Sequence, residues 1–115
     1  MISVKHRFHG RASLKFVFNK GQVVRGTDIS LRYVLNTRRS SYRLAVVVSR
    51  KVSKSAVVRN RIRRRIYEIV RANPISGPYD LVFTLFSDTA ADMDAPKLEK
   101  TIVDCLHRAG VISKP

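Results

Sequence analysis

The chain has 115 residues, a hydrophobic fraction of 44% and a formal net charge of +15 at pH 7, from 23 Lys and Arg against eight Asp and Glu. That length allows one domain over residues 1–115 with a single modest core, and the composition argues against disorder. The charge indicates a nucleic acid or an anionic membrane surface as the partner, while no apolar run approaches the roughly 18 to 20 residues that cross a bilayer.

The charge is unevenly distributed along the chain. Residues 1–67 hold 18 of the 23 Lys and Arg with one acid, Asp28, whereas residues 68–115 hold five basic and seven acidic residues. We therefore expect one strongly positive side and one near-neutral side. Cys105 is the only cysteine, which excludes an intramolecular disulfide, and residues 1–7 lack the apolar run of a signal peptide. A cytoplasmic location is expected.

The N-terminal part is predicted to contain a mostly extended basic arm, residues 1–11, and a short helix. A frayed terminus and a segment that contacts RNA are equal alternatives for the arm. The helix is predicted to be capped by Ser13 and to stop at Gly21. Its apolar face either packs in the core or lines an RNA groove in which aromatic rings stack on bases; that face carries Leu14, Val17 and Phe18.

Three strands are predicted next. Residues 23–24 form a short one, and residues 29–36 alternate between an apolar face and a polar face with Ser30 and Arg32. The polar face is expected to be exposed to solvent and basic, which suits an open sheet surface that binds a nucleic acid strand. Residues 42–50 have a continuous apolar centre, which predicts a central strand buried on both faces and ending in Arg50 and Lys51.

A basic amphipathic helix is predicted from about Ala56 to Asn73, capped by Ser55. Its apolar stripe contains Val58, Ile62, Ile66, Ile69 and Val70. Arginines flank the stripe and cover the outward arc, and only Glu68 offers a carboxylate within the helix. Solvated faces usually mix charges of both signs, so this one favours a polyanionic partner, and arginine grips phosphate with two parallel hydrogen bonds.

The C-terminal part is predicted to contain a last strand, residues 79–86, and a helix over residues 95–109 that Asp94 caps and Gly110 ends. Cys105 is assigned to the buried stripe of this helix. The basic half offers a single carboxylate, so we predict no catalytic residue and no metal site in this chain. The elements predict an α/β (α+β) two-layer sandwich with about four mainly antiparallel strands and three to four helices.

Over residues 7–109 the chain resembles the protein subunit of bacterial ribonuclease P. The resemblance is carried by Arg59-Asn60-Arg61, by Ser49-Arg50-Lys51 before it and by Phe18-Asn19-Lys20-Gly21 near the start. Two positions depart from the family pattern. Ser53-Lys54-Ser55 stands where many members have Gly-Asn, and Leu14 stands where a Phe is usual.

The resemblance implies a ribosomal protein S5 domain 2-like fold with an unusual left-handed βαβ crossover. It also implies an accessory subunit that binds the catalytic RNA and the 5′ leader of precursor tRNA, with Mg²⁺ held mainly by the RNA. No membrane partner is expected, because the apolar stripe opposite the arginines is needed for the core, and no obligate protein partner is evident. The implied leader cleft contains Leu14, Phe18, Arg32 and Tyr33. The predicted contacts with the catalytic RNA are Arg50, Lys51, Lys54, Arg59, Asn60, Arg61, Arg63, Arg64 and Arg65.

A structural RNA-binding protein without a role in cleavage, such as a ribosomal protein or an RNA chaperone, is the alternative. Its basic composition would be the same. Tyr33 also stays ambiguous at this point, because the alternation of its strand assigns it to the core.

Overall fold

The computed structural model describes residues 11–112, with side chains from residue 14 onward, so the predicted arm over residues 1–11 lies almost wholly outside the described part. Residues 11–112 form four strands and three α-helices, with one 3-10 turn, Thr89–Ala91, before the last helix. In chain order they are α1 (Arg11–Lys20), β1 (Gln22–Gly26), β2 (Ile29–Leu35), β3 (Arg43–Val47), α2 (Ala56–Arg71), β4 (Tyr79–Leu85) and α3 (Ala95–Ala109).

The strands form one mixed sheet in the order β1-β2-β4-β3. The β1/β2 and β2/β4 pairs are antiparallel and the β3/β4 pair is parallel, which confirms the predicted α+β fold. The prediction of a central strand over residues 42–50 is wrong. β3 lies at an edge, and its apolar run is explained by Leu44, Val46 and Val48 entering the core while Ala45 and Val47 are half-buried. The hand of the β3–α2–β4 crossover stays a prediction.

The main core lies between one face of the sheet and the helices α2 and α3. The stripe of α2 is confirmed, since Ile62, Ile66 and Val70 are fully buried and Val58 and Ile69 pack against the same core. α3 contributes a second stripe that includes Cys105, as predicted. Each fully buried aliphatic side chain stabilises the fold by about 1.5–3 kcal/mol, so these two stripes fix both helices on the sheet.

α1 covers the opposite face of the sheet. Val17 is fully buried, yet it does not belong to the main core cluster. Gly21 permits this close approach, because a Cβ atom there would lie 2.5 Å from the Val17 carbonyl oxygen and 3.1 Å from that of Tyr33. Ser30 lies on this covered face and is only 4% exposed, so the prediction that Ser30 is exposed to solvent is wrong.

The helix ends follow the predicted capping residues only in part. Ser55 caps α2, since its Oγ accepts a hydrogen bond from the Val58 N–H at 3.2 Å, and Gly110 ends α3 with φ 76°. The Ser13 cap is wrong, because α1 begins at Arg11 and includes Ser13. Asp94 occupies the N-cap position of α3, but its side chain makes no capping hydrogen bond.

A buried ion pair joins β3 to β4 on the face that α1 covers. Arg43 Nε donates to Asp80 Oδ1 at 2.8 Å and Nη2 donates to Oδ2 at 2.7 Å, while Asn36 Nδ2 adds a third hydrogen bond at 3.0 Å. Asp80 is fully buried. The sequence pattern did not predict this pair, because Asp80 stands inside an otherwise apolar strand.

Asp80→Ala is expected to lower the free energy of unfolding by about 3–5 kcal/mol, because it leaves the Arg43 guanidinium buried without its carboxylate partner. Urea denaturation measures the change. Asp88→Ala, which removes an exposed carboxylate, is the control and should stay within about 0.5 kcal/mol of the parent. Equal effects of the two substitutions would contradict the assigned role of the pair.

Candidate nucleic-acid interface

The loop after β3 and the start of α2 gather four basic side chains in one place. The loop is compact, since the N–H groups of Val52 and Ser53 both donate to the Ser49 carbonyl, at 3.1 and 3.2 Å. An open cavity of about 630 Å³ lies beside it, lined by Arg50, Lys51, Lys54, Ala56 and Arg59. No carboxylate from residues 14–112 lines this cavity, whereas four cationic side chains do.

Arg59 ties the helix to this loop. Its Nη1 donates to the Ser53 carbonyl at 2.9 Å, and the side chain is half-buried. This hydrogen bond uses one N–H donor of the guanidinium, and the Arg59 side chain still lines the cavity. It also fixes the position of the helix start relative to Arg50 and Lys51, which the sequence could only place near each other.

The outward arc of α2 carries exposed residues with weak or no internal partners. Arg61 Nη1 lies 3.2 Å from Asp92 Oδ1, but both side chains are exposed, at 52% and 87%, and such surface pairs contribute about 0–1 kcal/mol. Arg64 is exposed and has no hydrogen bond or ion pair within residues 11–112. These two guanidiniums and the Asn60 amide are therefore accessible to a ligand.

Arg63 and Arg65 have other partners within the protein. Arg63 donates to Asn60 Oδ1 at 2.9 Å and to the Val48 carbonyl at 3.4 Å. Arg65 donates from Nη1 to the carbonyls of Ala90 and Ala91, at 2.7 and 3.1 Å, and from Nη2 to that of Met93. Arg65 thus anchors the 3-10 turn to α2, and its contact with RNA stays a prediction.

The residues predicted for the leader cleft divide between the two faces of the sheet. Phe18 is 42% exposed, and the Arg32 guanidinium carbon lies 5.1 Å from the centroid of its ring, within cation–π range. Leu14 stands one helical turn before Phe18 and is half-buried. Tyr33 packs against the main core on the other face, where its hydroxyl donates to Gln22 Oε1 at 2.9 Å. The structure therefore does not bring Tyr33 together with the other three.

Val23 adds apolar surface next to Arg32, and the sequence pattern did not predict this position. It pairs with Arg32 across the β1/β2 ladder, and it is 39% exposed. The signal that could have found it is the register of that hairpin, which two short strands do not fix by composition alone.

Among the described residues 14–112, two titratable side chains have shifted pKa values, and neither belongs to the predicted contacts. Burial raises the pKa of the Tyr42 phenol, and nearby Arg71 lowers it by a smaller amount. Burial also raises the pKa of the Cys105 thiol, with a smaller opposing effect of Arg108. Both groups are therefore neutral at pH 7. Within residues 11–112, no group of three or more His, Cys, Asp or Glu side chains could hold a metal ion.

Comparison with known proteins places the chain in a family. The family model described as Ribonuclease P matches residues 2–110. The chain belongs to the ribonuclease P protein family. A ribonuclease P protein component from Clostridium botulinum (strain 657 / Type Ba4) is 32% identical over 110 residues, which cover 93% of this chain and 96% of the relative. One from Pseudanabaena sp. (strain PCC 6903) is 38% identical over 71 residues, covering 62% of this chain and 61% of that relative.

Solved structures of ribonuclease P proteins have the same fold. That of Staphylococcus aureus has a TM-score of 0.81 at 25% identity and covers 94% of this chain and 98% of its own. That of Thermotoga maritima has a TM-score of 0.78 at 23% identity, with coverages of 89% and 96%. Members of this family are protein subunits of a ribonucleoprotein endoribonuclease that acts in tRNA processing, so an RNA partner is implied. No helix within residues 11–112 is both long enough and apolar enough for a membrane span.

Arg65→Ala is expected to lower the free energy of unfolding by about 1.5–3 kcal/mol, because three partly buried carbonyls lose a charged donor. Arg64→Ala removes the same charge from the adjacent position, where nothing within the protein depends on it, and should stay within about 0.5 kcal/mol. Urea denaturation of both variants checks the difference. A smaller loss for Arg65→Ala than for Arg64→Ala would contradict the anchoring role.

Proposed function

We propose that this chain binds the catalytic RNA of ribonuclease P through its arginine surface and the 5′ leader of precursor tRNA through a separate leader surface. It thereby assists the Mg²⁺-dependent endonucleolytic removal of the leader. The arginine surface comprises Arg50, Lys51, Lys54, Arg59, Asn60, Arg61, Arg63, Arg64 and Arg65. The leader surface comprises Leu14, Phe18, Val23 and Arg32.

One observation carries the proposal: exposed cations gather at the end of β3 and along one arc of α2 without internal neutralisation. Arg50, Lys51, Lys54 and Arg64 are exposed, and Asp92, the carboxylate that pairs with Arg61, is itself 87% exposed. Phosphates relieve the mutual repulsion of these cations, and the release of counterions from the RNA drives binding. Guanidiniums add bidentate hydrogen bonds to phosphate oxygens.

The leader surface suits an unpaired strand. A base that stacks on an exposed aromatic ring contributes about 1–3 kcal/mol, and the stacking tolerates any sequence because every base has a π-face. Phe18 offers the ring, and Val23 extends the apolar area beside it. Arg32 sits over the same ring and supplies a positive charge for a backbone phosphate within reach of the stacked base.

The role of the protein in Mg²⁺ chemistry is indirect. Mg²⁺ prefers oxygen ligands, usually carboxylates and phosphates, and the arginine surface contains no carboxylate. These residues do not fit a protein-bound Mg²⁺, so we assign the ion to the RNA. The chain lowers the repulsion between two polyanions, which allows the complex to form at a lower Mg²⁺ concentration.

Loss of the exposed arginines is expected to remove this assistance. Arg64→Ala should weaken binding to the catalytic RNA about tenfold, as for one charged hydrogen bond of about 1.5 kcal/mol that is no longer made. Arg61→Ala combined with Arg64→Ala should abolish the gain in precursor-tRNA cleavage that the protein gives at low Mg²⁺. The measurements are filter binding and single-turnover cleavage after reconstitution with the catalytic RNA.

Arg71→Ala is the matched control, because Arg71 is exposed at the far end of α2 and already pairs with Glu68 at 2.9 Å. It should bind and assist like the parent. If the parent binds the RNA but gives no gain in cleavage, the chain is a structural RNA-binding protein instead. Equal losses for Arg64→Ala and Arg71→Ala would contradict the proposed surface.

Phe18→Ala is expected to weaken the affinity of the reconstituted enzyme for precursor tRNA by about 1–3 kcal/mol and to leave its affinity for mature tRNA, which has no leader, unchanged. Phe16→Ala is the control. Phe16 is 40% exposed on the same helix, but two residues along the chain rotate it about 200° away from Phe18. A leader-independent loss, or an equal loss for Phe16→Ala, would rule out the stacking role.

A further inference from the structure

A second basic groove lies between α3 and β1, outside both surfaces described above. It has a volume of about 550 Å³ and is lined by Arg25, Gly26, Thr27, Lys97, Lys100, Thr101, Asp104, Cys105 and Arg108. Four of these side chains are cationic and one is anionic. The anion, Asp104, lies 3.6 Å from the Arg108 guanidinium, so the remaining charge of the groove is positive.

The sequence conceals this groove, because its charges come from distant segments. Residues 68–115 are slightly acidic as a whole, but the helical repeat sorts the charges of α3. Lys97, Thr101, Asp104 and Arg108 follow one another at spacings of three or four residues, and Lys100, three residues after Lys97 and four before Asp104, lies on the same face. Glu99 does not line the groove. Arg25 joins them from β1, where its carbonyl oxygen accepts a hydrogen bond from Arg108 Nη1 at 2.9 Å.

The groove lies at the opposite edge of the sheet from the loop that carries Arg50 and Lys51, although Lys97 at its end also lines a cavity with Val58 and Asp92 beside α2. β1 and β3 form opposite edges of the sheet, three strand spacings apart, or about 14 Å, and α2 packs on the β3 side while α3 packs on β1. An RNA segment bound at Arg50 and Lys51 therefore has to cross the helical layer to reach the groove. Apart from the Lys97 end, the groove and the arginine surface therefore lie on different parts of the helical layer.

From this placement we infer that the groove between α3 and β1 is a second RNA-binding site, which takes the phosphate backbone of a further RNA segment. The cationic row from Lys97 to Arg108 extends about 16 Å along α3, which fits a phosphodiester strand better than a single small anion. None of the large exposed apolar side chains of residues 14–112 lines the groove, so it lacks the apolar contact that a membrane surface requires. A second copy of the chain would bring like charges together.

The segment can belong to the catalytic RNA already held by the arginine surface or to the tRNA substrate, and both present the same phosphate chemistry. Two affinities separate these sources. Binding of the protein to the catalytic RNA alone reports the first, and binding of precursor tRNA to the reconstituted complex reports the second. The inference rests on the proposed RNA binding, but the variant below leaves the arginine surface intact.

The test exchanges two neighbouring charges on α3. Glu99→Lys combined with Lys100→Glu keeps the net charge of the protein but reverses one charge inside the groove. We expect one of the two affinities to fall, with the slope of log K against log salt concentration reduced by about 0.7–0.9 for each phosphate that the protein no longer neutralises. Adding Lys97→Ala should reduce the same slope again. Lys97→Arg with Lys100→Arg keeps the groove positive and should bind like the parent.

Circular dichroism and urea denaturation must show that the exchanged variant is folded, and both positions are exposed, so little change is expected. If both affinities and both slopes equal those of the parent, the groove is not an RNA site and the inference is overturned. That result leaves the proposed function standing when Arg64→Ala still weakens binding. If Arg64→Ala has no effect either, the proposed function fails separately.

Discussion

A buried ion pair between neighbouring parallel strands fixes the position of the edge strand on which the arginine surface depends. Arg43 and Asp80 are register partners in the β3/β4 ladder and share two hydrogen bonds of 2.7–2.8 Å. An edge strand has a neighbour on one side only, so a slip of register is less strongly opposed there than within a sheet. Because a slip would separate two buried charges, the pair holds β3 in place, and with it the loop that carries Arg50 and Lys51.

The arginines of α2 have two different physical roles on one helix. Arg59 and Arg65 donate to backbone carbonyls and attach the helix to the β3 loop and to the 3-10 turn. Arg64 and Arg61 face solvent on a helix that these anchors hold still. The backbone positions of these cations are therefore fixed before RNA binds. The protein loses less conformational entropy on binding than a flexible basic segment would. The leader surface is built in the same manner, since the buried Val17 side chain holds the helix that presents Phe18.

Local pattern predicted the helices of this protein better than it predicted strand order and long-range contacts. The stripe of α2, the bounds of α3 and the assignment of Cys105 followed from a helical repeat sustained over 15 or 16 residues. The edge position of β3 could not be predicted in this way, because an apolar run shows that a strand is buried but not which strands flank it. The partners of Arg65 lie 25 to 28 residues away, and Asp80 lies 37 residues from Arg43. Such contacts, like the groove that joins Arg25 to α3, exist only once the chain has folded.

The end of the described chain closes the domain by returning to the loop before β4. Ile112 forms a bridge with Ile75, and the Val111 carbonyl accepts hydrogen bonds from the N–H and the hydroxyl of Ser76 at 2.8 and 2.9 Å. Val111 and Ile112 are themselves buried in the main core. When synthesis has reached only the middle of α3, the whole of α2 has been made, but Val111 and Ile112, which complete the core against which α2 packs, have not. Until synthesis passes residue 112, the nascent chain exposes a strongly cationic, incompletely packed segment close to ribosomal RNA, and folding during translation must finish late.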